Sequence, residues 1–468
     1  VSAIHDLSAL DQGKAIRNGE LSPLELTRHY LDRIDRLDAE VGAYVTVTAE
    51  RAIAQARALE KALPDGPLAG VPVPIKDLNL VKDVPIMFGS GSYQGFVAPV
   101  DDTVVERLRE AGTVMLGKTA TPEFGLPCYT ETNVSPPSRT PWDLTRSAGG
   151  SSGGAAAAVA AGLAPVAQGS DGAGSIRIPS SVCGLFGIKP TRGRISFAPI
   201  IPDLAGMSTN GPIARNVADA AALLDVMAHN NPGDLYLAPP QAGTFLECAT
   251  RQPGRLRVAR YAEPVVPGTE VDPEVLAAYE EASKTLAALG HEVVDIAPPF
   301  GPELVPQFVT LWYAFACMHP VADDRQDTLR PLTRWLRERG FATPAPSFLQ
   351  AQSALQLATR IALTVTNAYD AVLTPTVTLP PRPVGWFEEG DDPELTFERM
   401  KRFAAFPAIY NVSGQPAVNL PLYWTEDALP IGVMLAGRTG EEGVLISLSA
   451  QVEAYRGGFW GDRRPEVW

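Results

Sequence analysis

Apolar residues recur at helical spacing near the start of the chain. Leu26, Tyr30, Ile34 and Leu37 follow Ser22-Pro23-Leu24-Glu25, a capping box with proline at the first helical position. The pattern then shortens to a strand near Tyr44–Thr48 and returns to a charged helix from about Ala49 to Leu63. Val71, Val73 and Ile75 alternate ahead of Lys76, which predicts a half-buried strand that Pro72 and Pro74 confine to an edge. The small-residue run Gly153–Gly162 predicts a helix, and Ala164–Gln168 a buried strand after it. Farther along, a strand at Leu256–Ala259, a helix from Asp272 to Leu289 stopped by Gly290, and a strand at His291–Ile296 make an α/β unit. Gly301–Thr364 is aromatic-rich and mostly helical, and Tyr369–Leu373 is a strand. Pro380–Asp392 reads as a Pro-, Gly- and acid-rich loop able to serve as a lid, and Ala417–Leu420 with Ile431–Ala436 close the sheet. Strands alternating with helices predict an α/β fold.

Length changes that picture little. The 468 residues exceed the usual single-core limit of about 250–300, yet composition is uniform and no linker stands out. One large domain over 1–468 is expected, with core motifs in 70–220 and a helical insertion at about 297–368 that sets acyl-side specificity. A net charge of −14 argues against nucleic acid or an anionic membrane as the principal partner, and no apolar run reaches spanning length. Cys128, Cys183, Cys248 and Cys317 are widely scattered, which suggests reduced thiols in a cytoplasm rather than a disulfide frame or zinc site.

The chemistry concentrates between Arg146 and Ser196. Gly149-Gly150-Ser151-Ser152-Gly153-Gly154 and Gly169-Ser170-Asp171-Gly172-Ala173-Gly174-Ser175 are two glycine-serine loops around one helix and one strand. The second offers consecutive backbone N–H groups with few side chains in the way, a construction able to hold a developing oxyanion. A serine nucleophile needs a base. The five histidines, His5, His29, His229, His291 and His319, sit in segments that read as surface or structural. Lys76, at the end of an apolar run, is the other candidate: desolvation would free it as a base, or Asp77 would hold it in a salt bridge. Gly149–Gly153 also fits the G-x-S-x-G elbow, but no hydrophobic strand precedes it.

These residues resemble the amidase signature family. The likeness extends through Gly117-Lys118-Thr119, Pro122-Glu123-Phe124-Gly125, Gly187–Gly193, Gly211–Arg215, Gly414–Ala417 and Leu429–Val433, in order along nearly the whole chain. In the family a lysine, a serine after a cis peptide bond and a serine nucleophile act together, the serines 24 positions apart; here 175 − 151 = 24. The resemblance therefore implies Ser175 as nucleophile, Ser151 as bridging serine and Lys76 as base, with Gly172, Ala173, Gly174 and Ser175 lining the oxyanion hole. Ala173 stands where glycine is more usual, a methyl that is tolerated at negative φ and narrows the pocket. Gly150, Cys128 and Cys317 are candidate substrate contacts, although Cys128 also reads as an ordinary packed thiol. The implied fold is a twisted mixed sheet covered by helices on both faces. The motifs are nearest the branch of nylon-oligomer hydrolases, aryl acylamidases and urethanases, so the implied substrate is a small, neutral, hydrophobic amide, anilide or carbamate. No cofactor or metal is implied, and the protein is expected as a monomer or homodimer. The alternative is the amidase subunit of a tRNA-dependent amidotransferase.

Overall fold

The computed structural model describes residues 3–203 and 205–468. Among them, eleven strands form two sheets. The smaller runs β1 (Tyr44–Val47), β3 (Gly117–Thr119), β2 (Ile75–Lys76). The larger has eight strands in the order β4 (Val166–Asp171), β6 (Thr209–Ala214), β5 (Phe186–Lys189), β10 (Ala417–Trp424), β11 (Pro430–Gly437), β9 (Ala371–Pro375), β7 (Arg257–Arg260), β8 (Glu292–Asp295). Neighbours from β4 to β9 are antiparallel, and β9, β7 and β8 are parallel. The sheet is thus mixed, and helices flank it.

Most elements lie where hydrophobic periodicity places them. Ser22 caps the helix Pro23–Val41 by accepting the Glu25 N–H at 3.0 Å. The helix after β1 ends at Leu59, short of the expected Leu63. The helical region after β8 resolves into Leu304–Phe315, Pro331–Ala342 and Ala345–Thr366.

Two expectations change. The strands after Ala417 do not close the sheet at an edge; β10 and β11 lie at its centre, and every residue of β11 is buried, as for a strand covered on both faces. The segment before Lys76 is fully buried rather than half-buried, and its regular pairing shrinks to Ile75–Lys76. β2 is an edge, as its prolines require, but Gln168 closes that edge. Its side chain accepts the Lys76 N–H at 2.8 Å, and its own backbone N–H donates to Pro74 O at 3.2 Å, stitching the two sheets together. The loop Pro380–Asp392, expected to be able to serve as a lid, is held by contacts with two other segments. Arg146 donates to Pro381 O at 2.7 Å, the Gly385 N–H donates to Glu131, and the buried Phe387 ring stacks on Tyr129 at 4.6 Å.

His5 joins the first turn to the last residue: its Nδ1 lies 3.1 Å from His29 Nε2, and its ring packs edge-on to Trp468. Burial, helped by the Arg33 charge, lowers its pKa from 6.5 to about 4. Between those values the unfolded chain takes up a proton that the folded chain refuses, so stability is lost as pH falls through that window. The urea midpoint should be lower at about pH 5 than at about pH 7.5, and His5→Asn should make that dependence shallower. An unchanged dependence in the variant would show that His5 is not one of its sources.

Candidate active site

Lys76 leaves β2 with no exposed surface, its Nζ 2.7 Å from Ser151 Oγ. It also donates to Ser170 Oγ at 3.0 Å and to Ser170 O at 3.2 Å. Among the described residues no carboxylate touches it. Asp77, the partner that sequence alone leaves open, turns to Lys118 instead, with Oδ1 3.1 Å from Nζ and both side chains buried. Burial therefore lowers Lys76 from 10.5 to about 7, with the Asp171 charge opposing only part of the shift. Such an amine exchanges its proton near neutral pH.

Ser170 was not legible in the sequence. Gly169-Ser170-Asp171 reads as the start of a glycine-serine loop, but β4 runs through it, paired with β6 as far as Asp171 opposite Thr209. Extended backbone there points Ser170 at the lysine.

The two serine loops are fixed to each other. The Gly150–Ser151 peptide is cis. The Ser152 N–H donates to Ser175 O at 3.1 Å, and Ser152 Oγ donates to Ser170 O at 3.0 Å. Gly150 has no room for a side chain, because a Cβ would lie 2.7–2.9 Å from the backbone of Tyr129. Gly174 has φ +120°, and a Cβ there would approach Pro407 to 2.7 Å.

Asp171 organises the second loop. Its carboxylate accepts the N–H of Gly174 at 2.7 Å and of Ile176 at 3.0 Å, and pairs with Arg177 through two bonds of 2.9 and 3.0 Å. The Asn411 amide adds a further donor at 2.9 Å. Burial alone would raise this carboxyl; the Arg177 guanidinium outweighs it and holds the group well below the usual carboxylate range. Arg177 thus anchors the loop, as its spacing from Asp171 suggests. One consequence differs from expectation: the Gly174 N–H is spent on Asp171. The N–H groups of Gly172, Ala173 and Ser175 make no hydrogen bond to any described residue. Ala173 keeps a negative φ, and its methyl lines a cavity.

Ser175 borders two chambers. The first, about 840 Å³ of unfilled space, is walled by Phe308, Trp312, Phe397, Met400 and Ile409. The second, about 1610 Å³ including its mouth, contains Ser151 and Ser170 and is faced by Phe88, Phe124 and Phe315. Ser175 Oγ forms no hydrogen bond to any described residue, so the link from Ser151 to Ser175 is not made in this structure. Cys128 lines the first chamber. Gly150 and Cys317 line neither; the Cys317 thiol donates to Tyr313 O and Arg337 O, between two helices. His319, grouped with the other histidines as surface or structural, lines the second chamber.

A lysine left neutral near pH 7 by burial, bonded to one serine and set near a second beneath free N–H groups, is the equipment of a serine hydrolase that uses lysine in place of histidine. Residues 25–446 match the amidase family model, and the chain belongs to that family of C–N bond hydrolases. It is 38% identical over 468 residues to the putative amidase AmiB2 of Mycobacterium tuberculosis, covering 98% of each chain. It is 37% identical to the 6-aminohexanoate-cyclic-dimer hydrolase of Paenarthrobacter ureafaciens, over 98% of this chain and 96% of that one. The solved structure of a 6-aminohexanoate cyclic dimer hydrolase superposes with a TM-score of 0.92 at 33% identity, covering all of both chains. A glutamyl-tRNA(Gln) amidotransferase chain of Thermotoga maritima superposes less closely, with a TM-score of 0.79 at 28% identity and coverage of 100% and 99%.

Removing Arg177 strands a buried carboxylate. Arg177→Met should lower unfolding stability by about 3–5 kcal/mol, measured by urea denaturation. A loss under about 1 kcal/mol would show that Asp171 is held by its backbone and Asn411 contacts alone.

Proposed function

We propose that the protein hydrolyses neutral, hydrophobic amides, anilides or carbamates through an acyl-enzyme on Ser175. The contact between Lys76 Nζ and Ser151 Oγ at 2.7 Å, on the wall of a chamber that also holds Ser175, carries the reading. Neutral Lys76 takes the Ser151 proton as Ser151 takes that of Ser175, once a bound substrate draws the two hydroxyls together. Ser175 attacks the carbonyl carbon. The free N–H groups of Gly172, Ala173 and Ser175 receive the developing oxyanion, each donor in comparable sites being worth roughly 3–4 kcal/mol. Ser151 returns the proton to the departing nitrogen, and water then releases the acid from Ser175.

That proton delivery orients the substrate. The leaving nitrogen must sit beside Ser151, which faces the second chamber and not the first. The second chamber therefore receives the leaving group and the first the acyl group. Among the described residues, Lys401 is the only charged side chain lining the acyl chamber. A glutamine substrate would bring its ammonium there and meet no carboxylate, which disfavours the amidotransferase reading. Every group in the scheme comes from one chain, so we place the activity in a monomer or homodimer. No helix among the described residues is long and apolar enough to cross a membrane. The four cysteines are all free, which accords with a reducing, cytoplasmic setting.

Release of 4-nitroaniline from a hydrophobic anilide tests the scheme. The unaltered protein should turn over, and Ser175→Ala should lose at least about a thousand-fold in kcat. Equal rates would remove Ser175 as nucleophile, and turnover of a glutamine anilide alone would reverse the choice of substrate. Lys76 must be neutral to act, so kcat/KM should rise with pH and reach half its plateau near about 7. A half-point near the ordinary lysine value of 10.5 would mean that the lysine stays charged in the working enzyme.

A further inference from the structure

The leaving-group chamber contains an imidazole whose hydrogen-bonding capacity is unused among the described residues. His319 follows the helix Leu304–Phe315 and stacks on Phe124 with ring centres 4.7 Å apart and planes 12° from parallel. Phe88 tilts against it at 4.9 Å, and Tyr93 stands edge-on at 6.3 Å. Two of these rings come from backbone that side chains rarely adopt: Phe88 has φ +50° and Phe124 φ +54°. Positive φ in a bulky residue is a genuine outlier, and such outliers gather at ligand clamps and active sites. The Phe124 N–H donates to Phe88 O at 2.7 Å, so the two outliers hold each other.

The backbone around His319 is also fixed from two sides. Arg337 donates to Ala316 O at 2.8 Å and to His319 O at 3.0 Å, and the Tyr93 hydroxyl donates to Pro320 O at 2.7 Å. The imidazole nitrogens have no partner among the described residues, yet they are not sealed from the cavity. Several other polar groups on this wall are occupied, while Ser175, Asp203 and Ser208 also line the chamber. The Asn79 amide donates to Asp102 and its carbonyl accepts from Gln168, while Ser151 and Ser170 serve Lys76. Burial and the Arg337 charge depress the His319 pKa to about 4, so the ring is neutral at physiological pH, one nitrogen a donor and the other an acceptor.

We propose that His319 is a specificity-determining residue of the leaving-group chamber, where its imidazole hydrogen-bonds a polar substituent on an aromatic amine held among Phe88, Tyr93 and Phe124. The inference rests on the reading of the protein as an amidase and on the orientation of substrate given above. An aromatic amine suits this wall because Phe88, Tyr93 and Phe124, besides packing on His319, also line the chamber and offer it ring faces and edges. A site built to hydrogen-bond a substrate discriminates against the analogue that lacks the group.

The test uses substrates with one acyl group and three leaving amines: aniline, 4-nitroaniline and 4-aminobenzamide. His319→Phe keeps the stacking and removes the hydrogen bond. It should lower kcat/KM by about three- to thirty-fold for the two substituted anilides and by less than about two-fold for the plain one. His319→Gln, which retains a donor and an acceptor, should recover part of the loss. Deacylation, followed by a 4-nitrophenyl ester of the same acid, should be unchanged, because the leaving group has gone before that step. Equal losses for all three amines, or a slower deacylation, would overturn the proposal and make His319 a structural residue of the wall. If the unaltered protein releases none of the amines and Ser175→Ala behaves identically, the amidase reading itself fails and takes this inference with it.

Discussion

A lysine amine kept dry and without a counter-ion is the constraint on which the rest of this structure depends. Lys76 can act near neutral pH only if nearby carboxylates are engaged elsewhere, and they are. Asp77 pairs with Lys118, and Asp171 is held by Arg177, Asn411 and two backbone N–H groups. The closure of the β2 edge by Gln168 keeps water and competing strands from the same place. Each of these contacts looks like ordinary packing, yet together they leave serine hydroxyls and a backbone carbonyl as the lysine's companions.

The anion that steadies the nucleophile loop also carries a cost in donors. Asp171 fixes the turn by taking the Gly174 N–H, which in the proposed scheme leaves the oxyanion to neighbouring groups in the same turn. Rigidity and stabilising power are drawn from the same few peptide units, and Gly174 is given to rigidity. In the proposed scheme the two chambers divide the substrate at the scissile bond. The N-terminal half supplies the reacting groups, whereas later helices and loops supply much of the walls that choose what reacts.

What could be read from sequence was local. Periodicity placed the helix after Ser22, the α/β unit from Leu256 to Ile296, and the helix between the two serine loops. Glycine clusters and a lysine after an apolar run marked the region, the family resemblance singled out Lys76, Ser151 and Ser175 within it, and the fold brings Lys76 and Ser151 into contact. What escaped was set by partners distant in sequence. Ser170 acquires its orientation from pairing with β6, where it stands opposite Asn210. The clasp on Pro380–Asp392 depends on Tyr129 and on Glu131, which lies 254 positions before the Gly385 it holds. His319 lacks any local mark because its cradle comes from the Phe88 and Phe124 loops.

The central position of β10 and β11 has a consequence for how the protein is made. A ribosome delivers Lys76 and both serines long before Asn411 and Met434, which contact Arg177, and before β10, which covers the exposed side of β5. Until then the nascent chain presents an unpaired strand edge, a feature that invites aggregation in slow-folding multi-element chains. The nucleophile loop also lacks part of its final support. The growing polypeptide therefore keeps an open strand edge at its centre until its last strands have been set into the middle of the sheet.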